Sequence, residues 1–133
     1  MIYLMDSCVL LWLAMEGDRI SAKARAVITN PHIDVYASTV SFWELSLKHV
    51  LGKLDLKDRE IKDFLELLYE SGLGIICLNE QESSSLHRLP AVEGHKDPFD
   101  RMLIWQAINR GMTLISNDKA FEHYRSCGLR LLW

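Results

Sequence analysis

The stretch Ile2-Tyr3-Leu4-Met5-Asp6-Ser7-Cys8-Val9-Leu10-Leu11-Trp12 decides how this chain is read. Strand formers run from Ile2 to Met5, an apolar segment with helical spacing runs from Cys8 to Met15, and an acid stands at the junction. Such an acid caps the first N–H groups of the helix and favours its dipole. In an open α/β sheet it also faces the crevice beyond the carboxyl ends of the strands, where ligands bind. Three further acids occupy comparable junctions: Glu44 in STVSFWELSLK (38–48), Asp100 in GHKDPFDRMLIWQA (94–107) and Asp118 in TLISNDKAFEHY (113–124). If the fold gathers these junctions, several carboxylates converge without a matching ring of Arg or Lys, and a divalent metal ion is the ordinary remedy.

The rest of the chain supports the α/β reading. Further strand-like runs occur at Val35 to Ala37, Gly74 to Leu78 and Thr113 to Ser116, with a fifth at Leu129 to Leu132. Helical spacing covers Ala22 to Ile28, Thr39 to Leu51, Arg59 to Glu70, Glu80 to Leu89, Phe99 to Arg110 and a short piece around Ala120 to Tyr124. Ile61, Phe64, Leu65 and Leu68 form one core-facing stripe at i, i+3, i+4 and i+7. Strands alternating with helices predict three αβα layers around a mainly parallel central sheet of four to five strands. No repeat, low-complexity tract or linker divides residues 1–133, so one domain is expected.

Composition narrows the class. The 133 residues are 49% hydrophobic and 25% charged, as in soluble globular proteins. The apolar run Cys8 to Met15 is too short to span a bilayer, and no basic segment precedes it as a signal peptide requires, so a cytoplasmic location is expected. Cys8, Cys77 and Cys127 are odd in number and widely spaced, which argues against disulfides and zinc knuckles. Cys8 and Cys77 read as small core residues. A net charge of −3 rules out the blanket basic surface of a nucleic-acid-coating protein, so a phosphate-bearing substrate must meet a local basic patch and metal.

Each acid also has a purely structural account. Asp6 can cap the first helix, Ser41 and Glu44 have capping-box spacing, Asp97, Pro98 and Asp100 read as N-cap, N1 and N3, and Asn117 or Asp118 can cap the last helix. Two of them resist that account. Glu44 shares a helical face with Val40, Leu47 and Leu51, and Asp100 lies in line with Leu103, Ile104 and Ala107. Both therefore turn inward, where an unpaired carboxylate costs several kcal/mol. Asp97 reads mainly as a cap, with an auxiliary ligand role open.

These segments, in this order over nearly the whole chain, resemble the PIN-domain nucleases and most closely the VapC-type ribonuclease toxins of bacterial toxin–antitoxin pairs. The resemblance implies a catalytic acid set of Asp6, Glu44, Asp100 and Asp118. Asp6, Asp100 and Asp118 would hold one or two ions, with Glu44 helping to bind metal or to position the attacking water. Ser7 matches the hydroxyl residue that follows the first aspartate, Ser116 keeps the hydroxyl of the late motif, and Asn117 stands where the family has a small residue. An all-oxygen set selects Mg²⁺ or Mn²⁺ over zinc. The substrate implied is RNA, and the partners implied are a small antitoxin, inserting an Arg or Lys into an acidic pocket without its own cation, and a second copy in a homodimer. Apolar crowding on the first helix, Val9 to Leu13, reads either as that interface or as a helix packed on both sides.

Basic residues near the expected mouth are Lys48, Lys53, Lys96, Arg101 and Lys119. Arg101 is the best placed to contact phosphate or to fix a carboxylate, ahead of Lys96 and Lys119. His95 reads as touching phosphate or, as lone loop histidines usually do, finishing a polar loop, and Trp12, Trp43 and Trp105 as core or interface. Two other readings stay open: a receiver-like phosphoacceptor module, which lacks here the paired acids after the first strand and a mid-chain strand-end aspartate, and a catalytically idle PIN-like interaction module.

Overall fold

The computed structural model describes residues 1–133 as a three-layer α/β fold. The strands are β1 (Ile2–Met5), β2 (Asp34–Ser38), β3 (Gly74–Ile76), β4 (Thr113–Ile115) and β5 (Arg130–Leu132). The helices are α1 (Ser7–Met15), α2 (Ala22–Ile28), α3 (Thr39–Val50), α4 (Ile61–Glu70), α5 (Glu80–Ser85) and α6 (Pro98–Arg110), with 3-10 turns at Gly17–Arg19, Leu86–Arg88 and Lys119–Cys127. All strands pair in parallel in the order β3-β2-β1-β4-β5. β1 is therefore central, with Tyr3, Leu4 and Met5 opposite Thr113, Leu114 and Ile115. Strand order reverses between β1 and β4, which creates a crevice at their carboxyl ends.

Side-chain alternation along the strands divides the core. Met5, Val35, Ala37 and Ile115 point to one face, where Val9 and Leu10 of α1, Ala24 and Ile28 of α2 and Phe64 and Leu68 of α4 cover them. Leu4 and Leu114 point to the other, under Leu103, Ile104 and Ala107 of α6 and Phe121 and Tyr124 of the last 3-10 segment. α3 reaches both clusters, through Leu45 on the first side and Val40 on the second. It thus closes the carboxyl end of the sheet between α1 and α6. Its N-cap is Ser38, whose hydroxyl accepts from the Val40 amide (3.1 Å) and donates to Gln106 Oε1 (2.6 Å).

Several expectations change. The expected capping box at Ser41 and Glu44 is absent, because both residues lie inside α3 and Ser41 accepts from the Ser7 hydroxyl (2.9 Å). Buried residues of α3 stop at Leu45, so Leu47, Val50 and Leu51 are exposed and the inward stripe covers only its first turns. Trp43 is 61% exposed, in edge contact with Phe99 (centroids 4.8 Å apart), and so is not core. Cys8 and Cys77 are exposed rather than buried, since each falls on the outward side of an apolar segment. The apolar surplus of α1 is absorbed within the chain: Val9, Leu10 and Trp12 are buried and Leu11 and Leu13 pack against the same cluster. The C-terminal Trp133 packs on Trp12 (5.8 Å). No helix is long and apolar enough to cross a membrane.

α6 ends on Gly111, which has φ 63° in the left-handed region and whose N–H returns to the helix. A Cβ there meets no backbone but carries the left-handed penalty. Gly111→Ala is expected to lower stability by about 1 kcal/mol, read as a lower urea midpoint at unchanged m-value; equal midpoints would contradict it.

Candidate metal centre

The crevice over β1 and β4 is lined by acids brought from four elements. Asp6 follows β1 and is 4% exposed; its Oδ1 accepts from the Val9 amide (2.8 Å), so it does cap α1. Burial pushes its carboxyl up to about 6, the Ser116 hydroxyl and the Val9 amide opposing and the charges of Asp118 and Glu44 adding to the rise. Asp97 is the N-cap of α6, its Oδ1 accepting from the Phe99 and Asp100 amides (2.9 and 3.0 Å), with Pro98 at the first helical position. Asp118 caps the last 3-10 segment through the Ala120 amide (2.9 Å) and is exposed. Capping and membership in an acidic site are therefore compatible, because one carboxylate oxygen suffices for the cap.

Glu44, Asp97 and Asp100 form the tightest group: one carboxylate oxygen from each lies within 4.8 Å of the others. Asp100 is raised to about 7 by its burial first and by the neighbouring Asp97, with His95 opposing and Glu44 adding. Glu44 is 3% exposed, and its Oε1 is buried with no hydrogen-bond partner. Its Oε2 receives the Lys48 ammonium one helical turn away. Burial works to lower the Lys48 pKa, but the bond and charge of Glu44 outweigh it and the net shift is upward. The pocket thus does carry a cation of its own, contrary to expectation, although that cation satisfies one oxygen of one acid.

The fold contains its own control for this site. Glu82 is equally buried at 3%, yet Arg110 holds both of its oxygens (2.7 and 2.8 Å), the Asn79 amide adds a third donor, and its pKa ends lowered. A buried structural acid in this protein is fully paired, as buried charges must be. Glu44 is not. A buried acid with one orphaned oxygen, grouped with two more acids in an all-oxygen donor set without His or Cys, suits a hard divalent cation. Glu44, Asp97 and Asp100 could hold it directly, with Asp6 alongside.

The structure brings Asp97 into the group, which the sequence reading treats mainly as a cap, and leaves Asp118 outside it on the rim. Ser7 and Ser116 are buried beside Asp6, Ser116 also accepting from the Asp118 amide (3.1 Å), while Asn117 is exposed. Lys96 and Lys119 are exposed. Arg101 fixes no carboxylate: it donates to the Leu89 and Pro90 carbonyls and to the Tyr124 hydroxyl (2.9, 3.1 and 3.0 Å). His95 is more than a loop residue, since it is 9% exposed and its Nε2 stands 3.3 Å from Asp100 Oδ2. Tyr124, beneath it, escaped the sequence reading entirely because nothing local marks a core tyrosine as part of a site.

A parallel α/β sheet with an acid-lined switch point defines a class whose ligands bind in the crevice beyond the carboxyl ends of the strands. Within that class the chain belongs to the PIN domain family, which matches residues 3–126. Its fold is shared with solved toxin–antitoxin proteins. These include VapBC2 from Rickettsia felis, bound to a DNA fragment from its promoter (17% identity, 99% of this chain and 98% of that one, TM-score 0.67). VapBC-5 from Mycobacterium tuberculosis aligns over 98% and 97% (18% identity, TM-score 0.64), and FitAcB from Neisseria gonorrhoeae over 99% and 97% (16%, 0.63). No curated protein matches the chain by sequence.

Proposed function

We infer that the protein is a metal-dependent endoribonuclease, working with Mg²⁺ or Mn²⁺ in the cytoplasm as the toxin of a toxin–antitoxin pair. The observation that carries this is the cluster of buried Glu44 with half-buried Asp97 and Asp100, and its orphaned Glu44 Oε1. A bound divalent cation supplies a polarised water and neutralises charge on the scissile phosphate. Lys48 holds Glu44 by Oε2 and leaves Oε1 as the oxygen free to bind. Asp6, held by the Val9 amide at the end of β1, adds a further carboxylate beside this cluster. Asp118 extends the acidic wall toward the rim. Exposed Lys96 and Lys119 are the cations free to meet the RNA backbone, Arg101 being committed to its loop.

The partner reading rests on α3. Trp43, Leu47, Val50 and Leu51 are 61, 38, 77 and 57% exposed along one side, more contiguous apolar surface than a solitary helix keeps. An antitoxin, with a second copy of the chain, is the occupant proposed, in line with relatives solved as toxin–antitoxin complexes.

The test is to sequence RNA ends in cells induced for the wild type or for Asp6→Asn. New ends should appear with the wild type and fall roughly 10²-fold in the variant, and purified protein should stop cutting in excess chelator. Equal ends from both proteins, or cleavage indifferent to chelator, would remove the nuclease reading. An idle module of the same fold is separated by titration, because it would show no carboxylate-dependent Mn²⁺ binding.

A further inference from the structure

We propose that Arg101, Tyr124 and His95 form a directional hydrogen-bond chain that fixes the His95 tautomer and, through its Nε2–H, orients Asp100 toward Glu44 and Asp97. All three are positioning residues for the cation, and this role rests on the metal reading above.

The direction of the chain follows from donor and acceptor inventory. A guanidinium has donors only, so the Tyr124 oxygen must be the acceptor in its 3.0 Å bond with Arg101 Nη1. Tyr124 is fully buried, so its own proton needs a protein acceptor. Arg101 offers none. The remaining partner is His95 Nδ1 at 2.7 Å, which must therefore present a lone pair. A neutral imidazole with a bare Nδ1 carries its proton on Nε2, the atom 3.3 Å from Asp100 Oδ2. The opposite tautomer would strand the phenol proton in the core and turn a lone pair toward the carboxylate.

The surroundings keep the ring in this attitude. The Phe121 and Tyr124 rings pack edge-on against the imidazole at 5.7 and 5.4 Å, and the His95 amide donates to the Val92 carbonyl (3.1 Å). Arg101 in turn is anchored by the Leu89 and Pro90 carbonyls, so the chain begins on backbone and ends on a cluster acid. Metal-ligating side chains are commonly oriented in this way by groups one bond removed, whose loss costs about 10–100-fold in metal affinity. The arrangement also explains why Arg101, adjacent to Asp100, makes no contact with a carboxylate.

The experiment pairs Mn²⁺ calorimetry with ¹⁵N spectra of the His95 ring, assigned by its loss in His95→Gln. The wild type should show the Nε2–H tautomer. Tyr124→Phe, which removes only a hydroxyl, should lose that fixed tautomer and weaken Mn²⁺ binding about tenfold, with melting of the metal-free variant reporting that it is folded. In the His95→Gln background, where an amide replaces the tautomeric ring, Tyr124→Phe should have no further effect on Mn²⁺ binding. A wild-type ring protonated on Nδ1, wild-type affinity in folded Tyr124→Phe, or additive losses in the double variant would each overturn the chain. A wild type that binds no Mn²⁺ would overturn the metal reading and the positioning role together, while the spectrum would still decide the tautomer.

Discussion

Asp100→Asn is expected to lose metal-dependent RNA cleavage by roughly 10³-fold and yet, without divalent cation at pH 8, to melt about 5 °C above the wild type. The two effects have one cause. Asp100 shares a space of 4.8 Å with Glu44 and Asp97, and its carboxyl is pushed up to about 7 by burial and by Asp97. At pH 8 the empty pocket therefore holds a charge it would shed if it could. An amide keeps an acceptor for His95 Nε2 and the volume of the side chain, while removing one charge from the cluster. The relief is on the order of 1–2 kcal/mol once solvent screening of this half-buried group is allowed for. On the proposed metal reading the same substitution deletes a cation ligand and with it several kcal/mol of transition-state stabilisation. Unchanged cleavage, or a metal-free variant that melts below the wild type at pH 8, would contradict the account.

The second large effect is the coupling of stability to pH and metal. Asp6 and Asp100 have folded values of about 6 and about 7 against an ordinary 3.8. Between these limits the folded state binds more protons than the unfolded chain, so stability falls as pH rises. The contribution is complete below about pH 4 and has been lost above about pH 7. Asp6 alone, nearly buried, accounts for about 3 kcal/mol. Glu82 acts in the opposite sense: its lowered pKa makes the Arg110 pair a stabilising element above the ordinary carboxylate range that is lost on acidification. In excess chelator the melting temperature should therefore peak near pH 5 and decline by several degrees toward pH 8. Mn²⁺ competes with protons for the same oxygens, so its stabilising increment should be large at pH 8 and almost nil at pH 5. Equal increments at both pH values would show that the cation binds elsewhere.

How far the site could be read from the residues varies from one acid to the next. Asp6 needed only the IYLM strand ahead of it and the apolar helix behind. Glu44 stands on a stripe with Val40, Leu47 and Leu51, of which only Val40 shares its burial; it turns inward because the first turns of α3 are the ones that pack between α1 and α6. Asp100 followed from Leu103, Ile104 and Ala107, all fully buried as expected. Asp97 reads mainly as a cap and does cap α6, yet the structure also sets it beside Glu44 and Asp100, which is compatible because a carboxylate has two oxygens and the cap uses one.

Sequence by itself determined the alternation of strands and helices, the acids at or just inside the helix starts and the PIN-domain resemblance. Each of these is a local pattern, set by backbone periodicity and capping chemistry within a few residues. Tertiary structure alone decided that β1 and β4 are neighbours, that Glu44, Asp97 and Asp100 share one space while Glu82 is neutralised by Arg110, and that Arg101 reaches Tyr124 and His95. The long-range pairings among them run from Arg101 with Tyr124, 23 positions apart, to Tyr3 with Thr113, 110 positions apart. Nothing in local propensity encodes such distances. They are chosen when a parallel sheet must bury both faces at once, and the strand-end acids then meet because the covered sheet leaves its carboxyl edge as their common ground.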